Sequence, residues 1–352
     1  MKWLIYGAYG YSGRLIAQEA KRRGLQVIIA GRSADSLAPV VAETGFESRV
    51  FDLNDAAVLD KNLQDIDLVL HCAGPFSATS APMLEACLRN RCHYLDITGE
   101  MDVFEHCHSP AIQQRAKAAG VVVCPGVGFD VIPTDCVAAA LKQALPDASH
   151  LSLGFASKSG FSPGTAKTSV EGMAKGLHVR VDGKIQRVAP RSRMIDFGEG
   201  EKLAAAIGWG DVSTAYHTTG IRNVDVYIPA SPGMVKKMRQ MARLRWIIAL
   251  PFVQNFLKKQ VAKKIKGPDQ AARAKSPTLV WGEAHNAKGE KRIARVKTAN
   301  GYDVTVNGAL EVVGYLLKQG DTLAGSYTPA KLMGAGLVSQ LPGSGSIEIS
   351  QA

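Results

Sequence analysis

Short apolar runs alternate with amphipathic stretches over the first 135 residues. Apolar runs of four or five residues predict buried strands, and apolar residues at helical spacing predict helices between several of them. The predicted strands are residues 2–6, 26–30, 48–51, 68–72, 93–97 and 121–124, and the predicted helices are residues 11–23, 35–44, 81–90 and 110–119. Apolar strands that alternate with helices are typical of a parallel sheet covered on both faces. We therefore expect an α/β fold with a Rossmann-type, doubly wound parallel sheet.

A glycine-rich loop joins the first predicted strand to the first predicted helix. Its G-x-x-G-x-x-G pattern comprises Gly7, Ala8, Tyr9, Gly10, Tyr11, Ser12 and Gly13. Glycine is needed where the chain turns tightly and where backbone must approach a pyrophosphate. The helix that follows directs its N–H groups and positive dipole end at such an anion. The loop therefore predicts a dinucleotide site, with a plain glycine turn as the alternative.

The end of the second predicted strand indicates which nicotinamide cofactor is bound. NAD enzymes usually place an acid there to bind the ribose 2′-hydroxyl. Here the strand is followed by Gly31, Arg32 and Ser33, and the first acid is Asp35. Arg32 can pair with a 2′-phosphate, and Ser33 can donate a hydrogen bond to it. The pattern favours NADP(H) as the cofactor; the alternative is that Arg32 simply lies at the surface.

Two further predicted strands end in residues suited to the cofactor. Ligands of open α/β sheets bind at the carboxyl ends of the strands. Asp52 follows the third strand and is expected beside the adenine. The fourth strand ends in a segment where backbone normally passes the nicotinamide ribose, and Gly74 and Pro75 could equally form only a turn. This segment is Cys72, Ala73, Gly74, Pro75 and Phe76.

Several later clusters extend the pattern of polar and glycine residues. They are residues 94–100, 126–135, 162–165, 267–273, 280–284 and 326–329. Together with the opening loop they resemble the saccharopine dehydrogenase-like oxidoreductases. The nearer likeness is to the branch that includes trans-acting enoyl reductases of lipid and polyketide assembly.

The resemblance implies an NADP-binding Rossmann domain and a mixed α/β domain inserted before a final helix. Residues 1–135 and 320–352 are then the Rossmann domain, and residues 136–319 are an inserted substrate and association domain with a largely antiparallel sheet. Two predicted hairpins agree with this, one around Asp182 and Gly183 and one around residues 286–289. Because such sheets often mediate self-association, a homodimer is one expectation.

Polar residues at the predicted cofactor edge are candidates for proton transfer. They are Asp96, Thr98, Glu100 and Asp130, with Tyr302 from the second domain. A carboxylate in an apolar cleft can have its pKa raised enough to act as a general acid. The alternative is that Asp96 and Asp130 cap helices or brace loops, and for each residue taken singly that interpretation is favoured. No metal site is expected, because adjacent residues such as those at 106–108 cannot all converge on one ion.

The charge is concentrated in one segment. The chain has a formal net charge of +11, and residues 234–266 hold ten lysines and arginines without an acid. Such a block attracts phosphates on lipid, nucleic acid or a carrier group; the alternative is a solvated helical face. Its apolar residues fit a lipid or acyl-linked small-molecule substrate and contact with a membrane surface. Nucleic-acid binding is not expected, because no recognition motif accompanies the charge.

The cysteine content and the hydropathy of the chain indicate the cellular compartment in which the protein works. Six cysteines without a C-x-x-C pair, several of them in apolar runs, predict free thiols in a reducing cytosol. The N-terminal sequence does not read as a signal peptide, and the apolar run 246–257 is shorter than the roughly 20 residues of a spanning helix. We expect a cytoplasmic protein with possible peripheral attachment to a membrane.

Three functions stay open on the sequence. The first is an NADPH-dependent reductase of an acyl-linked or other hydrophobic substrate. The second is an amino-acid-linked dehydrogenase of saccharopine type, whose substrate carboxylates would need pocket arginines; the chain offers Arg180, Arg187, Arg191 and Arg193. The third is a non-catalytic NADP(H)-binding protein that recruits partners through its basic segment.

Overall fold

The computed structural model describes residues 1–157, 172, 175–248, 250–264, 276–319 and 322–351. The chain divides into two compact units. The first unit is Met1–Ile132 with Tyr302–Met333, and the second unit is Pro133–Gly301 with Gly334–Ala352. The motifs that the sequence singled out at residues 162–165 and 267–273 lie outside the described residues.

The first unit contains a seven-stranded sheet in which every pairing is parallel. Its strands are β1 (Trp3–Tyr6), β2 (Ile28–Gly31), β3 (Ser48–Val50), β4 (Leu68–His71), β5 (His93–Asp96), β6 (Val122–Cys124) and β15 (Gly325–Ser326). Their spatial order is β15-β6-β5-β4-β1-β2-β3. The order 3-2-1-4-5-6 is that of a Rossmann fold, and the prediction of a doubly wound parallel sheet is confirmed.

The inner strands of this sheet are buried because helices cover both faces. Every residue of β1, β4 and β5 is buried. The helices of the first unit are α1 (Tyr11–Arg22), α2 (Ala34–Thr44), α3 (Ala56–Leu63), α4 (Phe76–Arg89), α5 (Met101–Cys107), α6 (Pro110–Ala119), α12 (Gly301–Gln319) and α13 (Pro329–Met333). All six cysteines are free thiols, as predicted, and five of them are buried.

The second unit contains a nine-stranded sheet that is antiparallel except for the pairing of β7 with β12. Its strands are β7 (His150–Ser157), β8 (His178–Val181), β9 (Lys184–Arg187), β10 (Ser192–Asp196), β11 (Glu201–Ile207), β12 (Asn223–Pro229), β13 (Thr278–His285), β14 (Lys291–Thr298) and β16 (Glu348–Gln351). Both predicted hairpins are confirmed, β8 with β9 and β13 with β14. Asp182 and Gly183 turn the first hairpin with φ values of 50° and 81°, as a two-residue turn of this hand requires.

The remaining helices belong to the second unit or begin at its border. They are α7 (Ile132–Ala144), α8 (Asp211–Thr219), α9 (Pro232–Arg243), α10 (Arg245–Ile248), α11 (Pro251–Lys264) and α14 (Leu337–Gln340). Among the described residues, no helix combines the length and apolar character needed to cross a bilayer.

The two units have boundaries that differ from the expected ones. Residues 302–319 were assigned to the inserted domain but belong to the first unit, where Thr305 and Asn307 of α12 hydrogen-bond Phe129 and Arg23. Residues 334–352 were assigned to the Rossmann domain but belong to the second unit, because β16 pairs antiparallel with β14. Both differences arise from contacts between residues far apart in the chain.

Candidate active site

The glycine-rich loop turns sharply between β1 and α1. Gly7 has a φ of 83°, a left-handed conformation that side chains other than glycine rarely adopt. Its N–H donates to the Ala30 carbonyl at 2.8 Å, and its own carbonyl accepts from the Gly10 N–H at 2.9 Å. Helix α1 begins at Tyr11, and its N-cap, Gly10, has no side chain to cover the first turn. The positive end of the helix therefore lies directly behind the loop.

Close packing around this loop explains two of its glycines. A Cβ at Gly13 would overlap the Gly7 carbonyl oxygen, and a Cβ at Gly7 would lie 2.8 Å from the Ala73 Cβ. The loop thus packs on the segment that follows β4 and on the start of its own helix. This geometry meets the steric requirements of a pyrophosphate loop, in which backbone rather than side chains faces the phosphates.

The end of β2 presents a cation and an aromatic ring. Arg32 is exposed and forms no ion pair or hydrogen bond with another side chain in the described part of the chain. The Tyr9 ring packs so closely on Gly31 that a Cβ there would overlap it. The Ser33 hydroxyl oxygen caps α2 by accepting from the Ser36 N–H at 3.2 Å, which leaves its own proton available to a ligand. These contacts fit a site for an adenosine 2′-phosphate.

Asp52 lies just beyond β3, as the sequence predicted. It is exposed, and its Oδ1 accepts a hydrogen bond from the Asn54 N–H at 2.9 Å. This bond holds the turn after β3. Asp52 is therefore placed at the same sheet edge as Arg32, where an adenosine group would lie.

A buried histidine supports the segment after β4, and sequence reasoning missed it. The Thr79 hydroxyl donates to the Ala73 carbonyl at 2.6 Å, so the His71 Nε2, 3.0 Å from the Thr79 oxygen, acts as a donor to it. Burial lowers the pKa of His71 to about 3, which keeps the ring neutral. The only sequence signal was a polar residue at the end of an apolar strand. His71 and Thr79 together fix the turn that the cofactor segment 72–76 forms.

Glu100 caps the helix that begins in this segment. Its Oε1 accepts from the Phe76 N–H at 2.9 Å, and its Oε2 accepts from the Ser77 N–H at 2.8 Å. A carboxylate at a helix N-terminus is stabilised by both hydrogen bonds and by the helix dipole. Glu100 therefore joins the end of β5 to the start of α4. The sequence left a helix cap open as the alternative role of Asp96 and Asp130, and in the structure Glu100 forms such a cap.

Asp96 is a fully buried brace between β5 and β6. Its Oδ2 accepts from the Tyr94 hydroxyl at 2.7 Å, and its Oδ1 accepts from the Thr98 and Gly126 N–H groups at 3.0 and 2.9 Å. Burial raises the pKa of Asp96 to about 6, although these three hydrogen bonds oppose the shift. Thr98 is also buried, and its hydroxyl oxygen accepts from the Glu100 N–H. The two residues hold neighbouring strand ends in register.

Asp130 and Tyr302 lie in the first unit at the ends of different elements. The Asp130 carboxyl is half-buried over Gly99, where a Cβ would come within 2.8 Å of its Oδ2. Burial raises the pKa of Asp130 to about 6. Tyr302 was expected from the second domain; this was wrong, because it opens α12 and belongs to the first unit. Its ring meets the Tyr11 ring edge-on, with centroids 4.9 Å apart.

The sequence of this sheet matches a known domain family. Residues 3–124 match the family model described as the saccharopine dehydrogenase NADP binding domain. These residues are therefore similar to an NAD(P)-binding domain of the saccharopine dehydrogenase type. The match runs from β1 through β6, so it includes the glycine loop, Arg32, Glu100 and the cofactor segment 72–76.

Curated relatives match the same part of the chain. Over 151 residues it is 29% identical to a saccharopine dehydrogenase-like oxidoreductase of Mus musculus, and over 139 residues it is 30% identical to a trans-acting enoyl reductase of Mycobacterium leprae. Each alignment covers 38% of this chain, and 35% and 33% of the relatives. The saccharopine dehydrogenase-type domain is thus shared, while about two thirds of each relative's length is not aligned.

Solved structures resemble the chain along its whole length. An apo saccharopine dehydrogenase (L-Glu forming) from Saccharomyces cerevisiae has a TM-score of 0.66 at 12% identity, covering 100% of this chain and 99% of that one. A homospermidine synthase from Legionella pneumophila, in complex with NAD, has a TM-score of 0.65 at 9% identity, covering 100% and 91%. At these identities the similarity concerns the fold alone: a Rossmann-type parallel sheet with a second, largely antiparallel sheet.

Proposed function

We propose that the chain is an NADP(H)-dependent oxidoreductase that reduces a hydrophobic, acyl-linked substrate. The observation that carries the cofactor choice is the exposed Arg32 at the end of β2, where NAD enzymes usually place an acid. A guanidinium pairs with a phosphate through charge-assisted hydrogen bonds, whereas a carboxylate would repel it. The match of residues 3–124 to an NADP-binding domain model supports the same choice.

The proposed roles of the cofactor residues follow the strand ends of the first unit. The loop of residues 7–13 receives the pyrophosphate, and Arg32 and Ser33 receive the 2′-phosphate. Asp52 lies beside the adenine, and the segment 72–76 lies along the nicotinamide ribose. NADPH, when bound, supplies the hydride. His71, Thr79 and Glu100 hold the segment 72–76 in place through the hydrogen bonds described above.

Asp130 is the proposed proton donor of the reaction. Because burial raises its pKa to about 6, its carboxyl keeps a protonated fraction near neutral pH, as a general acid requires. Asp96 has a similar pKa, but its side chain is fully buried, whereas that of Asp130 is only half-buried and so more accessible to a substrate. We therefore assign Asp96 and Glu100 to positioning, and Tyr302 to the wall of the site beside Tyr11.

Arginines of the second unit are already bonded within the protein, which favours a substrate with few carboxylates. Arg180 donates to the Val212 and Gly183 carbonyls and packs over the Tyr216 ring at 4.3 Å. Arg191 pairs with Asp225 at 2.7 Å, and Arg193 pairs with Glu283 at 3.1 Å. Three of the four arginines considered for a saccharopine-type pocket are thus bonded to the protein itself. The enoyl reductase activity named for the mycobacterial relative is the better proposal for this chain.

The test compares NADPH oxidation by the full chain with two substrate classes. One is a long-chain enoyl thioester, and the other is the imine formed from an amino acid and a 2-oxo acid. We expect turnover with the thioester and a loss of turnover in Asp130→Asn. Turnover with the imine alone would favour the amino-acid-linked alternative. NADPH binding without turnover of either substrate would favour the non-catalytic alternative.

A further inference from the structure

Helices α9, α10 and α11 expose an unusual number of large apolar side chains. The described part of the chain has twelve exposed large apolar residues, and seven of them lie between residues 234 and 256. They are Met234, Leu244, Trp246, Ile247, Leu250, Phe252 and Phe256. Phe252 is 71% exposed, Trp246 68% and Phe256 60%. Single exposed apolar residues are ordinary, but a cluster of this kind marks a surface that contacts something.

The exposed aromatic residues lie close together along the chain. Phe252 and Phe256 are four residues apart in α11 and therefore lie on the same face of that helix. Trp246, Ile247 and Leu250 precede them in α10 and in the short connection to α11. We call residues 232–264 the basic helical segment. Its apolar residues are concentrated toward its middle, around the junction of α10 and α11.

The charges of the same segment have one sign. No Asp or Glu occurs from residue 226 through residue 268, while ten lysines and arginines occur between 234 and 266. Lys236, Lys237, Arg239 and Arg243 are exposed along α9. Because the segment holds no acid to neutralise these cations, its positive field extends into solvent and favours an anionic partner.

We propose that the basic helical segment binds the surface of an anionic lipid bilayer, with Trp246, Phe252 and Phe256 among the headgroups and the cations on lipid phosphates. Amphipathic segments with lysine and arginine beside exposed Trp, Phe and Leu bind in the plane of a membrane interface. Tryptophan is enriched at that depth. Helix α11 has 14 residues, about 21 Å of helix, which suits attachment rather than crossing. This proposal goes beyond the proposed reaction and does not depend on it.

The composition of the segment favours lipid over two other anionic partners. Six of its nine cations are lysines, a residue that is depleted at protein–protein interfaces. Trp246, Phe252 and Phe256 each have a face on which a nucleic-acid base can stack, as in single-strand binding proteins. Leu244, Ile247 and Leu250 are exposed as well, and stacked bases would leave these aliphatic side chains in water. Aliphatic and aromatic side chains together fit the boundary between headgroups and acyl chains.

Intrinsic fluorescence and co-sedimentation test the proposal directly. Of the four tryptophans, Trp246 is 68% exposed, Trp209 is half-buried in the second unit, and Trp3 and Trp281 are each 2% exposed, so a lipid-dependent change in emission reports mainly on Trp246. We expect the full chain to sediment with vesicles of phosphatidylcholine and phosphatidylglycerol, to shift its emission to shorter wavelength, and to stay in solution with phosphatidylcholine alone. Trp246→Phe should retain vesicle binding and lose most of the shift.

Two sets of variants separate local from general effects. The triple variant Trp246→Ser, Phe252→Ser and Phe256→Ser should weaken vesicle binding by at least about tenfold. The control variant, Met194→Ser with Ile349→Ser, removes two apolar side chains exposed on β10 and β16 and should not weaken vesicle binding. A second set changes the charge. Replacing Lys236, Lys237 and Arg239 by Gln should weaken binding by about fivefold per cation. The control replaces the exposed Lys61, Lys117 and Lys184 by Gln, with the same change in net charge.

Four results would overturn the proposal. The first is the absence of binding to anionic vesicles at low salt. The second is binding by the aromatic triple variant as tight as that of the parent chain. The third is an equal loss of binding in both charge-changing variants, because net charge rather than this segment would then account for the attachment. The fourth is binding to single-stranded DNA or to an acidic carrier protein without binding to vesicles.

Discussion

Glu100 and Phe76 connect the ends of two neighbouring strands of the Rossmann sheet. The Glu100 Oε1 accepts the Phe76 N–H at 2.9 Å, and the Oε2 accepts the next N–H along the chain at 2.8 Å. The carboxylate thereby caps α4 from the end of β5, while the Thr79 hydroxyl of the same helix holds the Ala73 carbonyl. The cofactor segment 72–76 is fixed from both sides, so its position depends on residues that need not touch the cofactor.

Replacement of Glu100 by glutamine tests this positioning role. Glutamine keeps one carbonyl acceptor but loses the second acceptor and the charge at the helix N-terminus, so we expect unfolding to become easier by about 1 kcal/mol. NADPH affinity should fall, because the segment 72–76 loses part of its support. Calorimetric titration and thermal unfolding measure the two effects. The exposed Glu348→Gln on β16 is the control and should change neither quantity.

Asp96→Asn is expected to destabilise the protein without changing the substrate range. The buried Asp96 accepts three hydrogen bonds, and an asparagine would turn an NH2 group toward at least one of the same donors. Leaving such buried donors unsatisfied costs about 1–3 kcal/mol each. Urea unfolding near neutral pH measures the loss. A variant as stable as the parent chain would contradict the role of Asp96 as a brace.

Two glycine-to-alanine changes should have opposite signs. Gly13→Ala places a Cβ against the Gly7 carbonyl, so we expect lower stability and loss of NADPH binding. Gly314→Ala, in the middle of α12, meets no atom within 4 Å and should stabilise the chain by up to about 1 kcal/mol, because alanine favours helix more than glycine does. Thermal unfolding and NADPH titration compare them. Unchanged NADPH affinity in Gly13→Ala would contradict the assignment of the loop.

Local sequence patterns predicted the Rossmann sheet well because its strands are buried on both faces. The apolar runs at β1, β4 and β5 contain few polar residues, and they remain strands in the structure. The start of α4 was placed at residue 81 rather than Phe76, since the Ser- and Thr-rich stretch before Pro82 resembles a turn. Its first turn depends on the Glu100 cap, which comes from 24 residues later in the chain.

The sheet of the second unit was harder to predict, because several of its strands pair with segments far away in the sequence. The hairpin of β8 and β9 was recognisable from Asp182 and Gly183, because a two-residue turn leaves a local signature. Strand β16 has no such signature; all four of its residues are exposed, and only its pairing with β14 defines it. In the site, His71 was missed and Tyr302 was placed in the wrong unit for the same reason. Their roles come from contacts that the spacing of residues does not encode.

The pH dependence of turnover tests Asp130 as the proton donor. Burial raises the pKa of Asp130 to about 6, so the folded protein holds this proton more tightly than the unfolded chain does. Its favourable contribution to folding is present at low pH and is lost as the pH rises through about 6, and the acid form needed for catalysis is lost in the same range. We expect kcat/KM for reduction to fall above pH 6.

The variant Asp130→Asn shows whether the fall in kcat/KM above pH 6 comes from Asp130 or from another group. The variant should lose about 10²- to 10⁴-fold in kcat/KM and should no longer show the decline above pH 6, since its amide does not titrate. NADPH affinity should be nearly unchanged, because Asp130 is assigned to the substrate rather than to the dinucleotide. Retention of the parent pH profile by Asp130→Asn would assign the titration to another group.

Arg32 is the residue proposed to select NADPH over NADH. The measurement is the dissociation constant of NADPH and of NADH, by calorimetry, for the parent chain, for Arg32→Asp and for Lys61→Asp, an exposed control with the same change in charge. We predict that Arg32→Asp weakens NADPH binding by about 10- to 100-fold, retains NADH binding and thus reverses the preference, whereas Lys61→Asp preserves it. An unaltered preference for NADPH in Arg32→Asp would contradict the account.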